Sequence, residues 1–152
     1  MIAVAIAGTR WGLPVARVGT VFHIEHVTRI PRAPAHLVGL FNLRSKIVPV
    51  VSLQRHVDPR APVKAAGSYA IGIEHAGESY ALLIDTVGDV IAIREEDRIE
   101  TPRHGQPALL ALTTAVYQTS SGLLPILDIP GLLSPPNPSG AAGPSSSKEL
   151  TS

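Results

Sequence analysis

The sequence predicts an all-β protein built from two similar small barrels, and three observations support this prediction. Apolar residues alternate with a period of two, as in Ile2, Val4 and Ile6, which is the spacing of a half-buried strand. Turn signals recur about every ten residues, and the chain contains 14 prolines, which favours many short strands. An internal repeat indicates that these strands form two sets, in which similar segments follow one another in the same order along the chain.

The repeat is the most informative of the three observations. Residues 7–21, AGTRWGLPVARVGTV, align without a gap with residues 76–90, AGESYALLIDTVGDV, at six identities in fifteen positions. A second similarity follows, between residues 48–53, VPVVSL, and residues 124–129, LPILDI. Chance similarity between glycine-bearing hairpins is an alternative, but two similarities in the same order favour a duplicated barrel.

The repeat sets the expected domain boundaries. The folded part spans residues 1–133, with a first barrel over about 11–62 and a second over about 63–127, and the N-terminal strand of residues 2–7 is shared with the second. Each barrel holds roughly 60 residues, too few for a large core, so the two barrels are expected to pack on each other.

Helix is expected to be scarce. A short C-terminal helix is predicted near residues 128–133, where Asp128 can cap and Pro130 fits the first turn. A helical turn is predicted near residues 35–40. Residues 134–152, SPPNPSGAAGPSSSKELTS, are predicted to be a disordered tail because they contain too little apolar area to offset chain entropy.

The two halves of the chain carry opposite charge. Residues 1–62 contain eight basic and two acidic side chains, a net charge of +6, whereas residues 63–133 contain four basic and nine acidic ones, a net charge of −5. Opposite halves of similar shape favour head-to-tail contacts between neighbouring molecules. A solvated surface with randomly distributed charge is an equally weighted alternative.

The composition excludes several classes of site. The 152 residues include no cysteine, which excludes disulfides, zinc–thiolate sites, iron–sulfur clusters and a cysteine nucleophile. Only 4% of the residues are aromatic, too few for a platform that stacks the bases of single-stranded nucleic acid. The apolar runs are short and the first residues lack the basic start of a signal peptide, so we expect a soluble cytoplasmic protein without membrane insertion.

The motifs do not support catalysis, a cofactor or a metal site. Among six histidines only His23 and His26 are close in sequence, and on an extended strand their side chains face opposite sides. No nucleophile elbow, phosphate-binding glycine loop or dinucleotide fingerprint occurs, so neither an enzyme nor a cofactor is expected. Basic side chains at residues 29–32 and 44–46 suit phosphate contacts, but the acidic half would repel the same polyanion. A protein-recognition module is the class that remains.

One segment of the first half resembles the CheW-like coupling domain of bacterial chemotaxis. Residues 31–53, PRAPAHLVGLFNLRSKIVPVVSL, are similar to that family's P-x-A-P segment and its Gly-φ-φ-Asn-Leu-Arg-Gly-x-φ-φ-Pro-φ-φ-Asp-Leu pattern, where φ is apolar. Two further matches follow in order, at residues 82–90, LLIDTVGDV, and at residues 124–129. The resemblance covers residues 2–133.

The resemblance implies two five-stranded SH3-like barrels around a shared apolar interior, and a non-enzymatic adaptor function. Members of the family link the cytoplasmic tips of chemoreceptors to the regulatory domain of a CheA-type histidine kinase. They alternate with that domain in rings through barrel-end contacts, and the receptor hairpin lies between the barrels. The alternatives are a self-assembling structural protein, whose copies bind head to tail, and a divergent member of the family with a different partner.

The resemblance also indicates residues for partner binding. Arg44 lies in the Asn-Leu-Arg segment, and its planar guanidinium suits a partner's carboxylate. Val18 and Val87 are equivalent under the repeat and are expected to line an apolar groove for a receptor helix. Gly39 and Asn42 are expected to shape the turn that presents Arg44. The alternatives are an arginine that merely covers the barrel edge and two valines that belong to the core.

Three positions depart from the family's pattern. Ser45 replaces a glycine, so a backbone position that favours positive φ carries a Cβ atom. Ser52 replaces an aspartate, and Thr20 replaces a residue that is frequently acidic. If those groups support partner contacts, this chain is specialised for a different receptor or kinase.

Overall fold

The fold is described by a computed structural model that covers residues 1–101 and 107–134. The strands are β1 (Ile2–Ile6), β2 (Thr9–Leu13), β3 (Val18–His23), β4 (Leu37–Leu43), β5 (Lys46–Val51), β6 (Tyr69–His75), β7 (Glu78–Ile84), β8 (Thr86–Val90), β9 (Arg98–Ile99), β10 (Thr113–Thr119) and β11 (Gly122–Leu127). The helices are α1 (Leu53–Val57), α2 (Pro107–Ala111) and α3 (Ile129–Leu133), with short 3-10 turns at Val15–Arg17 and Glu95–Asp97.

The strands form two sheets, which define two lobes. Lobe A contains the order β8-β1-β2-β11-β10-β9 and comprises residues 1–14, 85–101 and 107–134. Lobe B contains the order β3-β6-β7-β5-β4 and comprises residues 15–84. The predicted all-β class is confirmed, with one addition: the two-residue strand β9 gives lobe A a sixth strand. The predicted tail falls on residues 134–152, which apart from Ser134 lie outside the described residues.

The internal repeat is present in the register of the strands. Val18 pairs with Ile73 in lobe B, and Val87 pairs with Val4 in lobe A, so both pairs are related by the same offset of 69 residues. The β4–β5 and β10–β11 hairpins share an equivalent register and an irregularity at the same place, at an offset of 76 residues. Strand pairing therefore supports a true duplication rather than a chance similarity of hairpins.

Each lobe consists mainly of strands from one repeat and contains one hairpin from the other. The β1–β2 hairpin lies in lobe A between strands of the second repeat, and the β6–β7 hairpin lies in lobe B between strands of the first. Both hairpins are closed by an Ala-Gly turn with positive φ at both residues, Ala7-Gly8 and Ala76-Gly77, which matches the twist of paired strands. The boundary expected at residue 63 thus separates the two repeats, whereas each sheet contains strands from both sides of it.

The exchanged hairpins bury both of their faces. In β7, Ala81 and Leu83 face the core of lobe B, whereas Leu82 and Ile84 belong to a larger core that lies between the lobes. Side chains alternate across a strand, so a strand with two buried faces is an unbroken apolar run. The inter-lobe core also contains Trp11.

The helices are short and continue directly from the sheets. The predicted helix near residues 128–133 is confirmed as α3, and Asp128 caps it by accepting a hydrogen bond from the Gly131 N–H at 3.2 Å. Its repeat equivalent α1 is capped by Ser52, which accepts from the Arg55 N–H at 3.2 Å. Near residues 35–40, where a helical turn was predicted, the chain forms only a single turn. The rest of that prediction is wrong, because β4 begins at Leu37. Among the described residues no helix is long and apolar enough to cross a membrane.

Candidate functional site

The tip of the β4–β5 hairpin carries the arginine selected from the sequence. The two turn residues, Arg44 and Ser45, have φ values of +52° and +69°, so both adopt the left-handed conformation of a tight type I′ hairpin. Arg44 is exposed, and within residues 1–101 and 107–134 its guanidinium makes no hydrogen bond or ion pair. Its neighbour Ile47 is 57% exposed. We call Arg44, Lys46 and Ile47 the basic hairpin tip. It combines two positive charges with an apolar side chain, and of the two cations Lys46 donates to the Ser79 hydroxyl at 3.3 Å.

Asn42 and Gly39 occupy different parts of this hairpin. Asn42 is exposed and pairs with Ile47, one step from the turn. Gly39 is buried, and a Cβ atom there would overlap the Val27 side chain and lie 2.6 Å from the Thr28 carbonyl oxygen. Gly39 therefore allows residues 27–28 to bridge β4 rather than shaping the turn itself.

Val18 and Val87 lie at the edges of the two sheets, Val18 in β3 and Val87 in β8. Directly paired residues of antiparallel strands place their side chains on the same face. Their partners, Ile73 and Val4, belong to the inter-lobe core, so both valines lie on the inter-lobe face. Val18 is half-buried against that core, whereas Val87 is 39% exposed. The structure thus places the two valines at equivalent positions, with Val87 open to solvent.

Charge separates between the lobes as well as between the halves of the sequence. Among the described residues lobe B contains eight basic and four acidic side chains, a net of +4, and lobe A contains three basic and seven acidic ones, a net of −4. The exchanged β6–β7 hairpin brings Glu74 and Glu78 into lobe B and so lowers its positive charge. Opposite net charges favour an orientation in which lobe A of one molecule faces lobe B of another.

Sequence reasoning missed two further pairs of exposed apolar residues. Val21 and Val90 are 42% and 69% exposed and are equivalent at the 69-residue offset. Ile47 and Leu123 are 57% and 46% exposed and are equivalent at the 76-residue offset. The repeat was the signal that could have identified them, because both copies carry an apolar residue at each of these positions. Apolar residues at equivalent exposed positions indicate a contact surface.

Two histidines contact the end of α3. The rings of His36 and His56 are edge to face, with centroids 5.4 Å apart, and His56 Nε2 donates to the Ser134 carbonyl oxygen at 3.1 Å. Burial lowers the pKa of His36 and the charge of His56 lowers it further, whereas the Leu133 carbonyl opposes both effects. The Nδ1 atom of His36 is buried without a partner among the described residues. Within the same residues, no three side chains of His, Cys, Asp or Glu are grouped to hold a metal ion.

Comparisons with known proteins agree with this architecture. A family model described as "CheW-like domain" matches residues 1–136. The chain is 27% identical to "Chemotaxis protein CheW" of Treponema pallidum (strain Nichols) over 128 residues, which cover 82% of this chain and 75% of that protein. It is 22% identical to "Chemotaxis protein CheW" of Bacillus subtilis (strain 168) over 133 residues, which cover 88% and 85%.

A solved structure shows the same fold. The scaffolding protein TtCheW from Thermoanaerobacter tengcongensis matches with a TM-score of 0.70 at 26% identity, covering 83% of this chain and 86% of that one. The matched family consists of scaffold proteins without enzymatic activity, which confirms the expectation of a non-enzymatic adaptor. The duplicated lobes, the Asn-Leu-Arg hairpin and the family match over residues 1–136 together show that this chain belongs to the CheW-like family.

Proposed function

We propose that the chain is a cytoplasmic adaptor that couples the tips of chemoreceptors to a CheA-type histidine kinase in a chemosensory array. The observation that carries the proposal is the basic hairpin tip, which presents on the positive lobe an arginine that has no partner among the described residues of the chain. A guanidinium fork of this kind pairs with a carboxylate in two parallel hydrogen bonds. The regulatory domain of the kinase is the partner proposed for this surface.

The receptor is assigned to the inter-lobe face. Val87 is exposed there and Val18 is half-buried at the equivalent place, so an amphipathic receptor helix would cover apolar area from both lobes. Binding at the inter-lobe face leaves the basic hairpin tip free for the kinase. The adaptor then contributes no chemistry; it acts by holding two partners together, and it transmits a signal only if its affinity differs between their states.

The test is a calorimetric titration of the full chain with the regulatory domain of its cognate kinase at two salt concentrations. Saturable binding that weakens with salt is expected, because the contact is charged and partly exposed. Arg44→Ala should weaken the complex by about tenfold or more, the effect of losing a contact residue near the centre of an interface.

The matched control is Arg60→Ala, which removes the same charge from an exposed loop of the same lobe. Its affinity should stay close to that of the unmodified chain. Equal losses for both variants would mean that only the net charge matters, and unchanged binding for Arg44→Ala would remove the hairpin tip from the kinase surface.

Self-assembly is the second candidate, favoured by the net charges of +4 and −4 on the two lobes. Copies would then associate head to tail without a kinase. Light scattering of the chain alone decides between the candidates: growth in mass with concentration that reverses in high salt supports self-assembly, and a constant monomer mass contradicts it.

A further inference from the structure

The two lobes differ where their barrels close. In lobe B the rings of Phe22 and Phe41 are stacked, with centroids 5.4 Å apart and planes 9° from parallel. They pack against the core of lobe B and join the end of β3 to β4. The chain therefore closes one of its two barrels with a pair of aromatic rings.

The repeat identifies the equivalent residues of lobe A as Ile91 and Tyr117. Tyr117 pairs with Leu124 as Phe41 pairs with Val48, at the offset of 76 residues. Ile91 follows β8, and its N–H donates to the Met1 carbonyl oxygen at 2.6 Å. That contact is the counterpart of the pair formed by Phe22 with residue 70 in lobe B. One of the two rings is thus replaced by an aliphatic side chain.

A groove of about 840 Å³ occupies this part of lobe A. Its lining is mixed: Ile91, Ile93, Tyr117 and the small residues Ala3 and Gly88 form an apolar part, and residues 118–121 add hydroxyl and amide side chains. In the described residues, the core behind the groove contains four buried side chains, compared with seven in the core behind the Phe22–Phe41 stack.

The rim of the groove is acidic. Asp89 and Asp97 line it, and in the described part of the chain neither forms an ion pair, although nearby Glu95 is paired with Arg98 at 3.7 Å. Arg10 is also on the rim and keeps its charge, because the group to which its guanidinium donates at 3.2 Å is the neutral Ser121 carbonyl oxygen. The charged groups of the rim therefore sum to −1, which favours a ligand that places an apolar group against Ile91 and Tyr117 and a positive charge beside the aspartates.

We propose that this groove binds an aromatic side chain of a protein partner that is flanked by lysine or arginine. Lobe B supports an aromatic group, because there a phenylalanine ring stacks on Phe41, the counterpart of Tyr117, whereas in lobe A the residue opposite Tyr117 is the aliphatic Ile91. The two free aspartates favour a basic neighbour in the partner's sequence. The inference concerns the chemistry of the groove and does not depend on the kinase or the receptor assigned above.

The test is an NMR titration of the full chain with the peptide acetyl-Lys-Phe-Lys-amide, compared with acetyl-Lys-Ala-Lys-amide. Saturable shifts at the resonances of Ile91, Ile93 and Tyr117 are expected for the phenylalanine peptide only. Ile91→Phe should place a ring of the chain's own against Tyr117, where the peptide's ring would pack, and weaken binding by about tenfold or more. Val15→Phe places a phenylalanine on the exposed surface of lobe B, away from the basic hairpin tip, and should leave the affinity unchanged.

A second variant keeps the proposal testable if Ile91→Phe does not fold. Asp89→Asn changes only an exposed rim charge; it should weaken the binding of the lysine peptide but not that of acetyl-phenylalanine amide. Equal shifts with the alanine peptide, or full affinity in folded Ile91→Phe, would overturn the proposal. So would groove resonances that move with the concentration of the chain alone, or on removal of residues 135–152, because the occupant would then be a second copy or the chain's own C-terminal segment.

Discussion

Replacing Gly39 with alanine tests whether this buried glycine of β4 serves the fold or a partner. The added Cβ atom would overlap the Val27 side chain and lie 2.6 Å from the Thr28 carbonyl oxygen. The side chain can rotate away, but the carbonyl oxygen is held, because Thr28 and Leu40 exchange hydrogen bonds of 2.9 and 2.8 Å. Residues 27–28 must therefore separate from β4.

The cost of this change follows from two effects. Overpacking a buried site costs about 1–3 kcal/mol, and weakening one of the two bridging hydrogen bonds adds about 0.5–1.5 kcal/mol. We expect Gly39→Ala to lower the free energy of unfolding by about 1.5–4.5 kcal/mol, which corresponds to a fall of about 4–14 °C in the melting temperature.

Urea unfolding followed by circular dichroism measures the loss. The matched control is Gly19→Ala in β3, where the nearest atom to the added Cβ is the Gly72 carbonyl oxygen at 3.9 Å. That distance is an ordinary contact, so Gly19→Ala should change stability by less than about 1 kcal/mol. A Gly39→Ala protein within about 0.5 kcal/mol of the unmodified chain would refute the steric argument and return Gly39 to the list of partner-binding residues.

Two further predictions concern the hairpin turn and the histidine pair. Ser45→Gly should raise the free energy of unfolding by about 0.5–1 kcal/mol, because Ser45 has a φ of +69° and only glycine adopts this conformation without strain; an unchanged urea midpoint would contradict this. The pKa of His36 is lowered in the folded chain from its ordinary value of 6.5, so below that pH the unfolded chain binds more protons than the folded chain. The free energy of unfolding should therefore be at its full value above pH 6.5 and decrease as the pH falls below it. His36→Gln should flatten the decrease in urea midpoints between about pH 7 and pH 5, and an equal slope in both proteins would assign the effect to other groups.

The sequence predicts the fold class well because the governing signals are local. Period-two apolar patterns, glycine-bearing turns and the Asp128 cap each act within a few residues, and the structure contains all three. The repeat was also detectable, since its offsets of 69 and 76 residues recur in the pairing of the strands. The helical turn expected near residues 35–40 fails because β4 pairs with β5, and that long-range pairing overrides the local preference.

The candidate site could be predicted only in part. The resemblance located Arg44 on an exposed hairpin tip, but it grouped Gly39 with the turn, although Gly39 instead contacts residues 27–28. That contact joins segments that no local pattern relates. The groove of lobe A could not be predicted from the sequence for a similar reason. It depends on the difference between Phe22 in one repeat and Ile91 at the equivalent position of the other, and that difference has meaning only after the two repeats have been superposed.

The core between the lobes would allow so small a protein to hold the two proposed partners in a fixed geometry. Among the described residues each sheet pairs only its own strands, although each contains strands of both repeats, so side-chain packing rather than strand pairing holds the lobes together. Trp11, Leu82 and Leu132 fill the core between them, and separation would expose large apolar side chains at a cost of about 1.5–3 kcal/mol each. The lobes therefore move as one body. A contact on the basic hairpin tip of lobe B is then rigidly related to a contact on Val87 of lobe A, which is the property that the proposed adaptor function requires.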